Sequence, residues 1–388
     1  MAPIHAMTIP GLRYESGLLV QDATAPSVAE LRPIVPEAPG VFPVYDDLQN
    51  KFLNPVDPLV NTAPGGADRI IARTLAVCAG YAYSDAETVS TMMARMGFLG
   101  NRCRMIAMVD DAMFIVSTAF LMQSKDGRIV ILAYRGTEPV NSINWLTDAD
   151  LSPTRVRLRS GNVLAQAKKS GPLPEIHGGF YRNVRATRYK VMQSLARASK
   201  GIAVTAPADD DTPALEPMEA LYITGHSLGA GMAAIATMLM QNSPQDLQML
   251  GDRLKAAYTF AQPMVGNVAL ADACNDFPFL KSRLFRFIYG KDPVPHLPSK
   301  ELGAYRNFGI EYAYDGRTWA QRNLQKEAQQ MNLVVGLLGA GVMSLMRYLP
   351  VMDRIRAPYL LDDHRPNHYI EALTEPGELT EFGDDVYA

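Results

Sequence analysis

The residues best suited to chemistry are Gly225-His226-Ser227-Leu228-Gly229. They stand between a short apolar run, residues 221–224, and a run of apolar and small residues, 228–240. A strand that enters a helix through so tight a turn leaves no room for side chains two residues either side of the serine, which accounts for both glycines. The turn presents the serine hydroxyl at the end of a sheet. It also sets it at a helix N-terminus, whose partial positive charge favours negative charge developing nearby. A bare G-x-S-x-G is a weak signal; between a strand and a small-residue helix it reads as a nucleophile.

A serine hydroxyl is a poor nucleophile until a base takes its proton. The chain holds six histidines: His5, His177, His226, His296, His364 and His368. On a strand–turn–helix elbow the partners follow the serine in the order acid, then histidine, which sets aside His5 and His177. His226 adjoins the serine on the sharp turn, so its side chain should point away. The acid belongs on a loop just after a strand. Residues 283–289 read as a strand and are followed by Gly290-Lys291-Asp292-Pro293-Val294-Pro295, so Asp292 fits. Asp252, Asp272 and Asp276 fall on or beside helices. His296 shares the stiff loop of Asp292, which makes a separate, later loop the better source of the base. Residues 362–370 form that loop and carry both His364 and His368.

These residues need a scaffold, and the composition supplies one. The chain has 388 residues, 48% hydrophobic and 20% charged, enough for a large buried core. Lys+Arg is 37 and Asp+Glu is 40, a formal net charge of −3, without the basic excess that neutralises nucleic-acid phosphates. Three cysteines exclude a disulfide framework. Strand patterns at 112–122, 129–134, 221–224, 256–261 and 283–289 alternate with helical patterns starting at 68, 178, 228 and 268. That alternation predicts an α/β fold with a mostly parallel sheet covered by helices. The helix over 178–200 carries Arg182, Arg185, Arg188, Lys190 and Arg197, read as a solvated face. Residues 1–66, rich in proline, read as an extended segment docking on a body that runs from 67 to 388. The first residues lack a positive stretch followed by an apolar run, so the expected location is the cytoplasm, or export without a cleaved signal. Residues 331–349 fall short of the roughly 18 clean apolar residues of a spanning helix.

Taken together, several segments resemble the class 3 lipase family, a branch of the α/β-hydrolase fold. They are Tyr134-Arg135-Gly136-Thr137, Asn144-Trp145-Leu146-Thr147-Asp148, His177-Gly178-Gly179-Phe180, the serine elbow, and the run from Thr259 to Asn267, with Ala261 where the family usually has glycine. Asp292-Pro293-Val294-Pro295 and His364 with Tyr369 five residues on complete the series, in the family's order, from about residue 70 to residue 373. The resemblance implies a triad of Ser227, Asp292 and His364, with His368 structural. It implies an oxyanion hole made by the backbone N–H groups of Leu228 and Thr137. The expected substrate is a carboxylic ester of a hydrophobic acyl chain, as in triacylglycerol. Phospholipase A1 or a soluble short-chain carboxylesterase is the alternative. A non-catalytic binding protein would not need nucleophile, acid, base and oxyanion turn in order. No cofactor is expected: His364 and His368 with Asp362 or Asp363 lack a third anchored histidine, and Cys78, Cys103 and Cys274 lack metal-ligand spacing.

The interval between Asp292 and His364 is long and reads as an insertion, helical and increasingly apolar over about 315–350. Within it, residues 333–346 read LVVGLLGAGVMSLM. A helix apolar all round is normally buried. Between acid and base, it is expected to cover or line the acyl pocket and to meet lipid surfaces as it moves. Charged substitutions at Leu337 and Val342 should therefore impair long-chain esters far more than acetate esters. Equal losses on both, measured across a series of p-nitrophenyl esters, would reject this placement.

Overall fold

The computed structural model describes residues 11–31, 41–55, 68–110, 115–136, 155–157, 161–166, 171–298, 304–322 and 362–384. Their main feature is a sheet of ten strands. An antiparallel meander opens it: β1 (Leu12–Glu15), β2 (Leu18–Thr24), β3 (Arg102–Asp110), β4 (Ile115–Gln123) and β5 (Ile129–Tyr134). A separate short pair, β6 (Arg155–Arg157) and β7 (Glu175–His177), lies outside the sheet. The sheet continues in parallel through β8 (Ala220–His226), β9 (Leu254–Phe260), β10 (Leu284–Tyr289) and β11 (Ile310–Tyr314). An antiparallel β12 (Trp319–Arg322) closes the far edge. The parallel centre expected from the alternating pattern is present, with antiparallel flanks on both sides.

The helices divide between the two faces. One face carries α1 (Leu48–Leu53), α2 (Arg69–Tyr81) and α3 (Ala86–Met96). The other carries α4 (Gly178–Ala198), α5 (Leu228–Asn242), α6 (Pro244–Leu250), α7 (Val268–Asp276) and α8 (Pro278–Arg283). The last helix, α9 (Pro366–Leu373), returns to the first face and packs on α2. Helix starts follow from local chemistry: Asp68 accepts from the N–H groups of Ile70 and Ile71, and Asp85 from that of Thr88.

The period of two decides which core each strand residue joins. In β5, Val130, Leu132 and Tyr134 face α4 and α5, whereas Ile129, Ile131 and Ala133 face α2 and α3. Being covered on both faces, β5 and β8 are buried throughout. Of the first 66 residues, the described stretches supply β1 and β2 to the main sheet and the short α1, whose Phe52 packs edge-on against Phe98 and Tyr222. The parallel strands end side by side, with Tyr134 in register with Gly225 and His226 with Phe260. Loops leaving that C-terminal edge converge on one place, which is where ligands bind in open α/β sheets.

A fully buried arginine sits in the scaffold beside a buried glutamate. Arg286 on β10 and Glu311 on β11 are register neighbours, with Nη1 3.1 Å from Oε2. Arg286 is fully buried, and among the described residues its Nε and Nη2 have no hydrogen-bond partner. Replacing Glu311 by Gln leaves that charge uncompensated, so stability in a urea titration should fall by about 3–5 kcal/mol. The double replacement Arg286→Met with Glu311→Leu should cost less than the single change. An equal or larger loss in the double variant would show that packing, not charge, decides the site.

Candidate active site

Ser227 links β8 to α5 with φ +60° and ψ −128°, a left-handed backbone that costs a non-glycine residue about 1–2 kcal/mol. Its N–H donates to the carbonyl of Phe260 at 3.0 Å. The glycines around it are demanded by close approach. A β-carbon on Gly225 would overlap the carbonyl oxygen of Gly229, and one on Gly229 would overlap that of Tyr134. The end of β5, the end of β8 and the start of α5 are therefore in backbone contact.

His364 arrives on the short turn Asp362–His364 just before α9. Its Nε2 lies 2.9 Å from Ser227 Oγ. Its Nδ1 lies 2.9 Å from Asp292 Oδ2 and 3.1 Å from Oδ1. An ionised carboxylate only accepts, so Nδ1 carries the proton and Nε2 presents a lone pair to the serine hydroxyl. Ser227, Asp292 and His364 are 0%, 0% and 1% exposed.

A carboxylate this buried must be compensated. Asp292 also accepts from the Tyr369 hydroxyl at 2.6 Å and from the Val294 N–H at 2.9 Å. Burial and the neighbouring Asp292 hold the Tyr369 phenol well above its usual pKa, so it stays a donor. Two further bonds lock the base loop: Lys291 N–H to Asp363 Oδ2 at 2.8 Å, and Trp319 Nε1–H to the Ala372 carbonyl at 2.8 Å.

The other histidines fall elsewhere. His368 stacks on Tyr289 at 5.2 Å, with Asp362 and Glu371 each 3.7 Å from one of its ring nitrogens. His296 ends the turn Val294–His296 that follows Asp292. His177 caps α4, accepting from the Gly179 N–H, and burial pushes its pKa down to about 4. His226 turns away from the serine, its Nε2 2.8 Å from the main-chain carbonyl of His364. Leu228 is the first residue of α5, so its N–H has no acceptor within the helix and is available to an oxyanion. Thr137, the segment 144–148, Leu337 and Val342 lie outside the described residues. Among the described residues no group of three or more His, Cys, Asp or Glu side chains could hold a metal ion. Tyr369 joins the site through Asp292, a partner that the sequence signals only by a tyrosine five residues beyond the base.

An elbow serine bonded to a histidine and a buried aspartate, at the C-terminal edge of a parallel-centred sheet, defines an α/β-hydrolase fold. The family described as Lipase (class 3) matches residues 131–302 of this chain. Among curated proteins, Triacylglycerol lipase OBL1 of Ricinus communis is 27% identical, over 51% of this chain and 40% of that protein. The Secreted mono- and diacylglycerol lipase A of Penicillium cyclopium is 30% identical, over 47% of each. Phospholipase A1-II 1 of Oryza sativa subsp. indica is 29% identical, over 48% of this chain and 43% of that protein. The chain thus spans less than half the length of these relatives.

Tyr369→Phe tests the compensation of Asp292. It removes one short bond to a buried carboxylate without changing the ring, so stability in denaturant should drop by about 1.5–3 kcal/mol. An unchanged midpoint would mean that the remaining two donors suffice.

Proposed function

We propose that the chain is a serine hydrolase that cleaves carboxylic esters of hydrophobic acyl chains, in the manner of a triacylglycerol lipase, through an acyl-enzyme. The observation that carries this reading is the unbroken line of hydrogen bonds from Ser227 Oγ through His364 to Asp292 on a strained elbow. Ser227 Oγ attacks the ester carbonyl carbon as His364 Nε2 takes its proton. The imidazolium that forms is stabilised by the Asp292 carboxylate. The carbonyl oxygen becomes an oxyanion held by the Leu228 N–H and, as its second donor, the Thr137 N–H. Losing one such donor costs roughly a hundred- to a thousandfold in rate. His364 then returns the proton to the departing alcohol, and water repeats the sequence on the acyl-serine.

The relatives named above as triacylglycerol and mono- and diacylglycerol lipases support a lipid substrate. The relative named Phospholipase A1-II 1 favours a second reading with the same chemistry on a phospholipid ester. The expectation that residues 333–346, with Leu337 and Val342, cover or line the acyl pocket falls outside the described residues and is tested by the charged substitutions given above.

Ser227→Ala should reduce hydrolysis of p-nitrophenyl esters and emulsified triglyceride to background, a loss on the order of a millionfold in kcat. An organophosphonate should label Ser227 alone in the unaltered enzyme. Activity retained in the alanine variant, with label on another serine, overturns the reading.

A further inference from the structure

His226 occupies the second position of the elbow motif and is itself fully buried. Its two ring nitrogens meet two different groups: Nε2 the main-chain carbonyl oxygen of His364 at 2.8 Å, and Nδ1 the Tyr83 hydroxyl at 2.9 Å. A carbonyl oxygen can only accept, so Nε2 carries the proton and donates it. Nδ1 is then a lone pair, and the Tyr83 hydroxyl donates to it. Burial, with His364 beside it, holds His226 well below its ordinary pKa, so this neutral tautomer persists. Tyr83 is fixed in turn: its hydroxyl fills the space a β-carbon on Gly136 would take, and it adjoins Ser227.

We propose that His226 is a positioning residue for the base: its Nε2–H holds the main chain of His364 in place, and the Tyr83 hydroxyl donates to the Nδ1 lone pair of the tautomer that does so. The proposal rests on the reading of His364 as the base that serves Ser227. His364 closes a single short turn, and α9 begins two residues later at a proline, so no long helix carries it. The Asp363 contact with Lys291 N–H fixes the turn from the acid loop. The His226 bond fixes it from the nucleophile's own turn. The residue preceding the nucleophile therefore grips the base, and the separation of Oγ from Nε2 is set within one elbow. A misplacement of about 1 Å in such a geometry costs roughly a hundredfold in rate.

Side-chain amides separate the two contacts. The amide nitrogen of glutamine reaches about as far as Nε2 of histidine, whereas that of asparagine reaches only as far as Nδ1. His226→Ala and His226→Asn should each lose about ten- to a hundredfold in kcat on p-nitrophenyl butyrate, with KM held within about twofold. His226→Gln should recover most of that loss. Tyr83→Phe should fall between the unaltered enzyme and the alanine variant. The proton shared by His364 Nδ1 and Asp292 provides a second readout: its downfield resonance in proton NMR should persist with Gln and broaden away with Ala and Asn. Circular dichroism checks that each variant is folded; should Ala fail to fold, the Gln and Asn comparison decides. Equal kcat in the Gln and Asn variants, or an unchanged kcat in Ala, overturns the proposal. If the unaltered protein neither hydrolyses esters nor takes label at Ser227, the hydrolase reading fails, and the NMR comparison still decides whether His226 positions His364.

Discussion

A serine at φ +60° between a strand and a helix can persist only where neighbouring backbones touch without side chains between them. Here they do: Gly225 meets Gly229, and Gly229 meets the end of β5. The strain is borne by the surroundings. Fourteen of the fifteen residues of α5 are buried, and β5 and β8 are buried along their whole length. Gly231, one turn into α5, leaves room for the Phe180 ring, which draws α4 against α5. The next strand end repeats the geometry, because Ala261 follows β9 at φ +55°. Glycine, usual at that position in the family, would adopt it freely. Alanine adds a cost of about 1–2 kcal/mol for a methyl group that is fully buried. Two neighbouring strand ends therefore carry left-handed residues, and both donate their N–H groups across the edge, Ser227 to Phe260 and Ala261 to Phe287.

The buried charges differ in what they permit. Arg286 and Glu311 face each other in the middle of β10 and β11, and a guanidinium does not release its proton. That pair can only hold strands together or strain them. Asp292 is buried as completely, yet one of its three donors is an imidazole, whose second nitrogen can take up and return a proton. The other two, Tyr369 and the Val294 N–H, keep the carboxylate in place whichever form the imidazole has. Position in the sheet adds to the distinction. The ion pair is mid-strand, whereas Asp292 lies beyond the C-terminal end of β10, on the edge where Ser227 also stands.

The parts legible in the sequence share one physical cause. β5, β8, β9 and β10 are covered on both faces, so they read as near-continuous apolar runs, and the residues at their ends stand out by contrast. Ser227 and Asp292 could be found that way. The pattern of residues alone narrows the base to a loop shared by His364 and His368, and only the family resemblance, through Tyr369 five residues on, selects His364; in the structure, stacking on Tyr289 takes His368 out of line. The β1–β2 hairpin and β3 are not legible in the sequence, because charged residues interrupt their pattern. Arg104 on β3 is buried and paired with Asp22 on β2, a contact that only the sheet creates. The basic face of α4, expected to be solvated, departs from that expectation for the same reason. Lys190 is buried against Glu15 at 2.8 Å, and Arg188 pairs with Asp246, so part of that face is an interface within the fold rather than a solvated surface.

Two histidine rings with centroids 4.8 Å apart invite the question of which one takes a proton. Their partners answer it. His364 faces a carboxylate through Nδ1, so a second proton, at Nε2, creates a cation beside an anion. His226 faces a carbonyl through one nitrogen and a neutral hydroxyl through the other, in a fully buried place, so a second proton there would meet no countercharge and would displace the Tyr83 donor. A charge on His364 raises that cost further, because like charges at this separation repel in a medium poorer in water than the surface. Environments that push two equivalent groups apart in this way assign their roles. Among the described residues, a proton leaving Ser227 Oγ in the proposed mechanism therefore has His364 Nε2 as its acceptor, and the neighbouring imidazole stays neutral, donating to the same carbonyl oxygen.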